Sequence, residues 1–241
     1  EAGHLQVHPD EHGGNRTACV RHDLGMPETQ LSRADSFAGL LAEPGVTEVC
    51  RIGSRVGIMA YHGGNLEWNT DVIAERTADR TGASLYSVIQ PPTMRQHLAS
   101  TKVAPAESPR LAAFLDHVEI VMTIHGFGRR GFFDALLLGG RNREFAAHVG
   151  RSLQDALPVY RVLTDLDSMP SSLRGQHPEN PVNLPPMGGV QIELAPRVRG
   201  SSPMWCDWEG PELTPHTESL IDGLTAAIDT WPVATLDSTG S

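Results

Sequence analysis

Basic residues are in short supply: 19 Lys and Arg stand against 29 Asp and Glu, for a formal net charge of −10. Binding to nucleic acid or to an anionic membrane rests on clustered Lys and Arg, so neither is expected as the main partner. Long apolar runs are missing too. At 39% hydrophobic residues, nothing approaches the ~20 consecutive apolar positions that a bilayer-spanning helix needs. Cysteine is scarce: Cys19, Cys50 and Cys206 cannot all pair within the chain, and none forms the CxxC spacing of a structural zinc knuckle. A Cys19–Cys50 disulfide is left open. The chain has no internal repeat and no low-complexity block, and it begins at Glu1 with neither an initiator methionine nor a secretory h-region. A processed or trimmed chain is expected, with an extracellular compartment slightly favoured over the cytoplasm.

What is present is a regular alternation. Residues 1–16, rich in His, Gly and charge, lack periodicity and read as a flexible arm. Residues 17–241 read as a single α/β domain, a size that can fill one core. Segments 47–52, 56–61, 84–89, 118–124, 132–138, 159–163 and 189–194 are strand-like. Between them, 71–81 reads as a helix ended by Gly82, 105–115 as a short helix, and 142–156 as a helix with Phe145, Ala146, Val149 and Leu153 on one face. A last helix, 215–230, turns Leu220, Ile221, Leu224 and Ala227 inward. The polar, proline-rich stretch 165–187 is long for a compact domain and suits a lid or site loop. Such alternation favours a sheet with helices on both faces.

Two strand ends stand out. VGIMAYHGGNLE places His62 and Glu67 after an apolar run, and VEIVMTIHG ends in His125. Catalytic zinc takes three nitrogen or oxygen ligands and keeps a fourth position open, and open α/β sheets bind ligands at the carboxyl ends of their strands. Singly, each residue has an ordinary reading: a loop histidine, or a glutamate complementing a helix N-terminus. Jointly, the repeated strand–His–Gly pattern makes His62, Glu67 and His125 a candidate zinc site, since glycines let backbone approach a ligand closely. Hydrolysis at zinc also needs a proton-carrying carboxylate. Glu193, between Ile192 and Leu194 in GGVQIELAP, is the candidate.

Four strings in this order, AYHGGNLEWNT, the STK stretch at 100–102, TIHGFG and GVQIELAPRVR, resemble the phage-type poly-γ-glutamate hydrolase family. They span about residues 55–200. The resemblance implies a zinc carboxypeptidase-like, three-layer α/β/α sandwich with a mixed sheet. It implies His62, Glu67 and His125 as zinc ligands and Glu193 as general base and acid toward a γ-glutamyl amide. It implies further that Arg129, Arg197 and Arg199 hold substrate carboxylates bidentately, with Ser100 and Lys102 assisting. Four residues separate His62 from Glu67, where ordinary metallocarboxypeptidases have two, so the zinc geometry has to come from a glycine turn.

The expected function is zinc-dependent hydrolysis of γ-glutamyl-type amides in poly-γ-glutamate or a related acidic peptide. Small γ-glutamyl or N-acyl amino acids and cell-wall peptides remain as other targets. The rival is a non-catalytic, zinc-containing module that binds acidic peptides through the same arginines. A cysteine hydrolase on Cys206 lacks a strand-to-helix nucleophile turn. Trp205 and Trp208 are expected to cover a core edge or shape a pocket wall, and His177 is a candidate substrate contact. His97, His117, His148 and His216 show no metal-ligand spacing, and Tyr61 reads as a strand residue.

Overall fold

A computed structural model describes residues 31–210 and 213–232. The arm 1–16 and Cys19 lie outside the described residues. The chain enters through β1 (Ser32–Arg33), α1 (Phe37–Ala42), β2 (Thr47–Arg51) and β3 (Val56–Gly64). There follow α2 (Thr70–Thr81), β4 (Ser84–Gln90), β5 (Gln96–His97), α3 (Pro109–His117), β6 (Ile120–Gly126) and β7 (Ala135–Leu138). It closes with α4 (Arg143–Ala156), β8 (Arg161–Leu163), β9 (Gly189–Leu194) and α5 (Pro215–Thr230).

Seven strands form one sheet in the order β2-β4-β3-β6-β9-β7-β8. The centre, β4-β3-β6-β9, is parallel, while β2 joins β4 and β7 joins β9 antiparallel. The sheet is therefore mixed. Alternation along each strand sorts side chains into two layers. Val56, Ile58 and Ala60 of β3, Ile120, Met122 and Ile124 of β6, and Val190, Ile192 and Leu194 of β9 pack under α2, α4 and α5. On the other face, Met59, Tyr61, Tyr86, Val88 and Val121 meet Phe37 and Leu40 of α1 and Leu111, Phe114 and Leu115 of α3. The result is an α/β/α sandwich, and no helix among the described residues is long and apolar enough to cross a membrane.

Local chemistry sets the helix ends. Asn142 caps α4 through its side chain, which accepts from the Phe145 N–H, and Ser108 caps α3 in the same way from Leu111. Gly82 ends α2 in the left-handed conformation. Three elements depart most from the sequence expectation, the others shifting by a residue or two at their ends. The strand expected at 132–138 is confined to β7, because 131–134 turns, with Gly131 at φ +85° and the Ala135 N–H donating to Phe132. The helix expected at 105–115 divides into a 3₁₀ turn, Pro105–Glu107, and α3, since Ser108 is extended. β3 runs on past Tyr61 to Gly64. The stretch 165–187 holds only three 3₁₀ turns, Leu166–Ser168, Ser171–Leu173 and Pro181–Asn183.

The extension of β3 depends on Gly64, at φ +69°, where a Cβ would strike the Gln90 carbonyl oxygen and nitrogen. Gly64→Ala is expected to cost about 2–3 kcal/mol of stability, read as a lowered denaturation midpoint at unchanged m-value.

Candidate metal centre

β3 and β6 deliver the two histidines side by side, but strict alternation would send His62 to the layer opposite Tyr61. A bulge prevents this. Pairing of β3 with β4 runs Ala60↔Ser87 and then Gly63↔Ile89, so β3 carries one residue more than its partner over this interval. The rings of Tyr61, His62 and His125 consequently lie 4.9–5.0 Å apart between centroids. Beyond the bulge the chain folds back through Gly63 and Gly64, and the Glu67 N–H donates to the His62 carbonyl at 2.9 Å. This turn places Glu67 against both histidines despite the four-residue spacing.

Glu67 Oε1 lies 2.9 Å from His62 Nδ1, and Oε2 lies 3.3 Å from His125 Nδ1. Oε2 also accepts from the Gly126 N–H at 2.8 Å. One ligand atom from each of the three residues lies within 4.8 Å of the others. The outer ring nitrogens are engaged: His62 Nε2 is 2.9 Å from the Leu98 carbonyl and His125 Nε2 is 3.1 Å from the Tyr61 hydroxyl. A carbonyl only accepts, so His62 Nε2 carries a proton and, in the neutral ring, Nδ1 presents its lone pair inward. Two imidazole nitrogens and a carboxylate oxygen suit the donor set of a catalytic zinc site, and the residues present fit the ion.

Electrostatics reinforce the grouping. Burial resists the charge on Glu67, but the two histidines and their hydrogen bonds outweigh it and hold the carboxyl well below its ordinary range. Burial disfavours the His125 cation, and Glu67 more than offsets this, so its pKa rises. Glu193 faces His125 in register across β6 and β9 and is 5% exposed. Burial pushes its carboxyl up to about 7, opposed by His125 and reinforced by the charge of Glu67. Burial also raises the Tyr61 phenol far above its usual value, which keeps it protonated.

The substrate candidates scatter. Arg199 is buried; its guanidinium donates to the carbonyls of Leu194 (3.1 Å) and Trp68 (2.6 Å). It packs so closely on Gly126 that a Cβ there would lie 2.7 Å from Cζ. It thus balances the carboxylates of Glu67 and Glu193, whose fields favour its charge. Arg197 is half-buried and stacks over Tyr160 at 5.4 Å, beside His216 and Trp205. Arg129 is exposed on the loop after β6 and donates to Ser172. Ser100 opens the 3₁₀ turn Ser100–Lys102, and its hydroxyl works against the effect of burial on the Tyr61 phenol. Lys102, the chain's single lysine, is exposed on the same 3₁₀ turn. His177 is exposed within 165–187, and its Nδ1 accepts from the Glu179 N–H. Trp205 and Trp208 pack edge to face 6.4 Å apart, with Trp205 against His216.

Four residues at the site escaped the sequence reading. His97, expected to be structural, has its ring 5.2 Å from that of His62. Tyr61 hydrogen-bonds His125, and Gln191 and Asn180 are buried next to Glu193 and Tyr61. Gln191 was within reach, because two residues before Glu193 on a strand means the same face. His97 and Asn180 had no local signal.

The model of the poly-gamma-glutamate hydrolase family matches residues 38–205. The chain belongs to that family. It is similar to the SPbeta prophage-derived protein YoqZ of Bacillus subtilis (strain 168), 28% identical over 150 residues, 61% of this chain and 52% of the relative. The chain thus spans about half the length of that curated relative. Two solved structures share the fold: a bacteriophage poly-gamma-glutamate hydrolase (TM-score 0.63, 20% identity, covering 76% of this chain and 87% of that one) and the zinc-free apo form of YndL (TM-score 0.68, 21% identity, covering 83% and 98%).

Linkage predicts how the metal-free site titrates. The folded-state value of Glu67 lies below its ordinary 4.5, so its carboxylate contributes stability above that pH and loses it as pH falls. That of His125 lies above its ordinary 6.5, so its cation contributes below that pH and loses the contribution as pH rises through the folded value. The Tm difference between metal-free wild type and Glu67→Gln is expected to be largest between about pH 4.5 and 6.5; a pH-independent difference would refute the pairing.

Proposed function

We propose that this protein is a zinc-dependent hydrolase of γ-glutamyl amide bonds, acting on poly-γ-glutamate or a related acidic peptide. One observation carries the reading: in a chain of this family, His62, Glu67 and His125 converge on one point with Glu193 beside them. The ion would be held by His62 Nδ1, His125 Nδ1 and the Glu67 carboxylate, and it supplies Lewis acidity toward a carbonyl oxygen and a lowered pKa for water.

The chain's own residues do the rest. Glu193 accepts the proton of the attacking water at its carboxylate and returns it to the leaving amine, and a value near 7 suits both transfers. Gln191 holds Glu193 Oε1 by a 2.8 Å bond, which aims the carboxylate. Glu193→Gln is expected to lower kcat by about 10²–10⁴-fold while zinc stays bound. Because the folded-state value exceeds the ordinary 4.5, ionised Glu193 opposes folding as pH rises from 4.5 toward 7. The same variant should therefore have a higher Tm than wild type above pH 7. Equal activity of the variant would remove Glu193 from the base role.

A net charge of −10 repels a polyanion at long range, so substrate carboxylates need local cations. Arg129 and Lys102, both exposed, are the residues proposed to meet them. Arg129→Ala and Lys102→Ala are each expected to raise KM about three- to tenfold with kcat nearly unchanged. The deciding experiment incubates zinc-reconstituted protein with γ-linked and α-linked glutamate oligomers. Cleavage restricted to the γ-linked chain supports the proposal, and stoichiometric binding without cleavage identifies a binding module instead.

A further inference from the structure

Five buried polar side chains form a continuous hydrogen-bonded chain between the metal centre and Glu193. His125 Nε2 lies 3.1 Å from the Tyr61 hydroxyl, and that hydroxyl lies 3.3 Å from Asn180 Oδ1. Asn180 Nδ2 donates to Gln191 Oε1 at 2.8 Å, and Gln191 Nε2 to Glu193 Oε1 at 2.8 Å. None of the five is more than 5% exposed, so water is not at hand to substitute for a member.

The chain has a direction, and backbone groups set it. The Val182 N–H can only donate, and it donates to Asn180 Oδ1 at 3.2 Å. The other end of that carboxamide must then be Nδ2, which obliges Gln191 to present its oxygen to Asn180 and its Nε2 to Glu193. A second backbone group agrees: the Leu173 carbonyl, which can only accept, lies 3.4 Å from Gln191 Nε2. In the opposite direction, Oδ1 is an acceptor, so the Tyr61 O–H donates to it. The phenol oxygen is then left to accept from His125 Nε2–H, and the neutral ring keeps its Nδ1 lone pair for the metal position. Both anchoring backbone groups belong to the irregular stretch 165–187. Gly175 in that stretch, at φ +60°, lies so close to Gln191 that a Cβ would meet its Oε1 at 2.6 Å.

We propose that Asn180 is a positioning residue: oriented by the Val182 amide, it fixes through Tyr61 which nitrogen of His125 faces the metal, and through Gln191 it turns a donor toward Glu193. The inference rests on the zinc and general-base reading above, and it gives 165–187 a task other than covering substrate. The two arms can be cut separately. Asn180→Asp keeps an acceptor for Val182 and Tyr61 but replaces the donor. Gln191 must then turn its Nε2 to the new carboxylate and its oxygen to Glu193. Asn180→Leu removes both functions and leaves the Tyr61 hydroxyl free to donate to His125 Nε2, which permits the wrong tautomer.

The test measures zinc affinity by chelator competition, and kcat and KM of the zinc-loaded protein on a γ-glutamyl oligomer. For Asn180→Asp the expected result is zinc affinity within about threefold of wild type with kcat lowered about 10–100-fold at unchanged KM. For Asn180→Leu, zinc affinity itself should fall about 10–100-fold. Should the leucine variant fail to fold, Tyr61→Phe, which cuts only the histidine arm, is expected to weaken zinc to the same extent. Equal zinc loss in the aspartate and leucine variants, tracking their loss of Tm, would overturn the proposal; so would wild-type zinc affinity in Tyr61→Phe. If wild type cleaves no γ-glutamyl oligomer, the functional reading fails, while the contrast in zinc affinity still decides the relay.

Discussion

The Glu67 carboxylate ties together the parts of the molecule that matter for chemistry. Its two oxygens meet His62 from β3 and His125 from β6, and it accepts the Gly126 N–H, while its own backbone carbonyl accepts from the Thr70 hydroxyl at the start of α2. A buried carboxylate without such partners would be neutral. The histidines keep it charged, and Arg199 adds a buried cation alongside. The special backbone nearby serves this contact. The β3 bulge turns His62, the glycine turn brings Glu67 back, and Gly126 leaves space for the Arg199 guanidinium.

The polar cluster survives in the interior because two apolar layers hold its frame. The layer under α2, α4 and α5 is continuous from β3 to β7. It clamps the central strands so that positions on their other face are held in register. Thr123, His125, Gln191 and Glu193 all lie on that other face, whose apolar cover beneath α1 and α3 stops short of the strand ends. Rigid strands suit a site whose donors must stay within fractions of an ångström of their working positions. The irregular stretch 165–187 completes the face by supplying polar backbone groups where a helix would have none to offer.

Much of the fold was legible in the sequence. The central strands and the helices α2, α4 and α5 carry long, clean patterns, and each was placed to within a few residues. The departures have local causes. The turn before β7 follows from Gly131 and its tight hydrogen bond, and the break before α3 from the Ser108 cap. The helix α1 and the short strands β1 and β5 are too brief for periodicity to register, and β1 pairs with β5 across some sixty residues of chain.

For the site, the residues that could be grouped in advance were those whose chemistry is unusual where they stand: histidines beside glycines at strand ends, and a glutamate within an apolar strand. Their partners could not be grouped, because Asn180 reads as a loop asparagine and Tyr61 as a strand tyrosine until the fold sets one beside the other. The same holds for the arginines. Sequence placed Arg197 and Arg199 together near a strand end, and only packing separated them, one onto Tyr160 and the other beneath Gly126. The sequence by itself determined the alternating architecture and the candidate ligand types, since periodicity and side-chain chemistry are local properties. Tertiary structure alone decided which nitrogen of each histidine turns inward and which cations stay exposed, because those depend on single hydrogen bonds between separate segments of the chain, Leu98 for His62 and Tyr61 for His125.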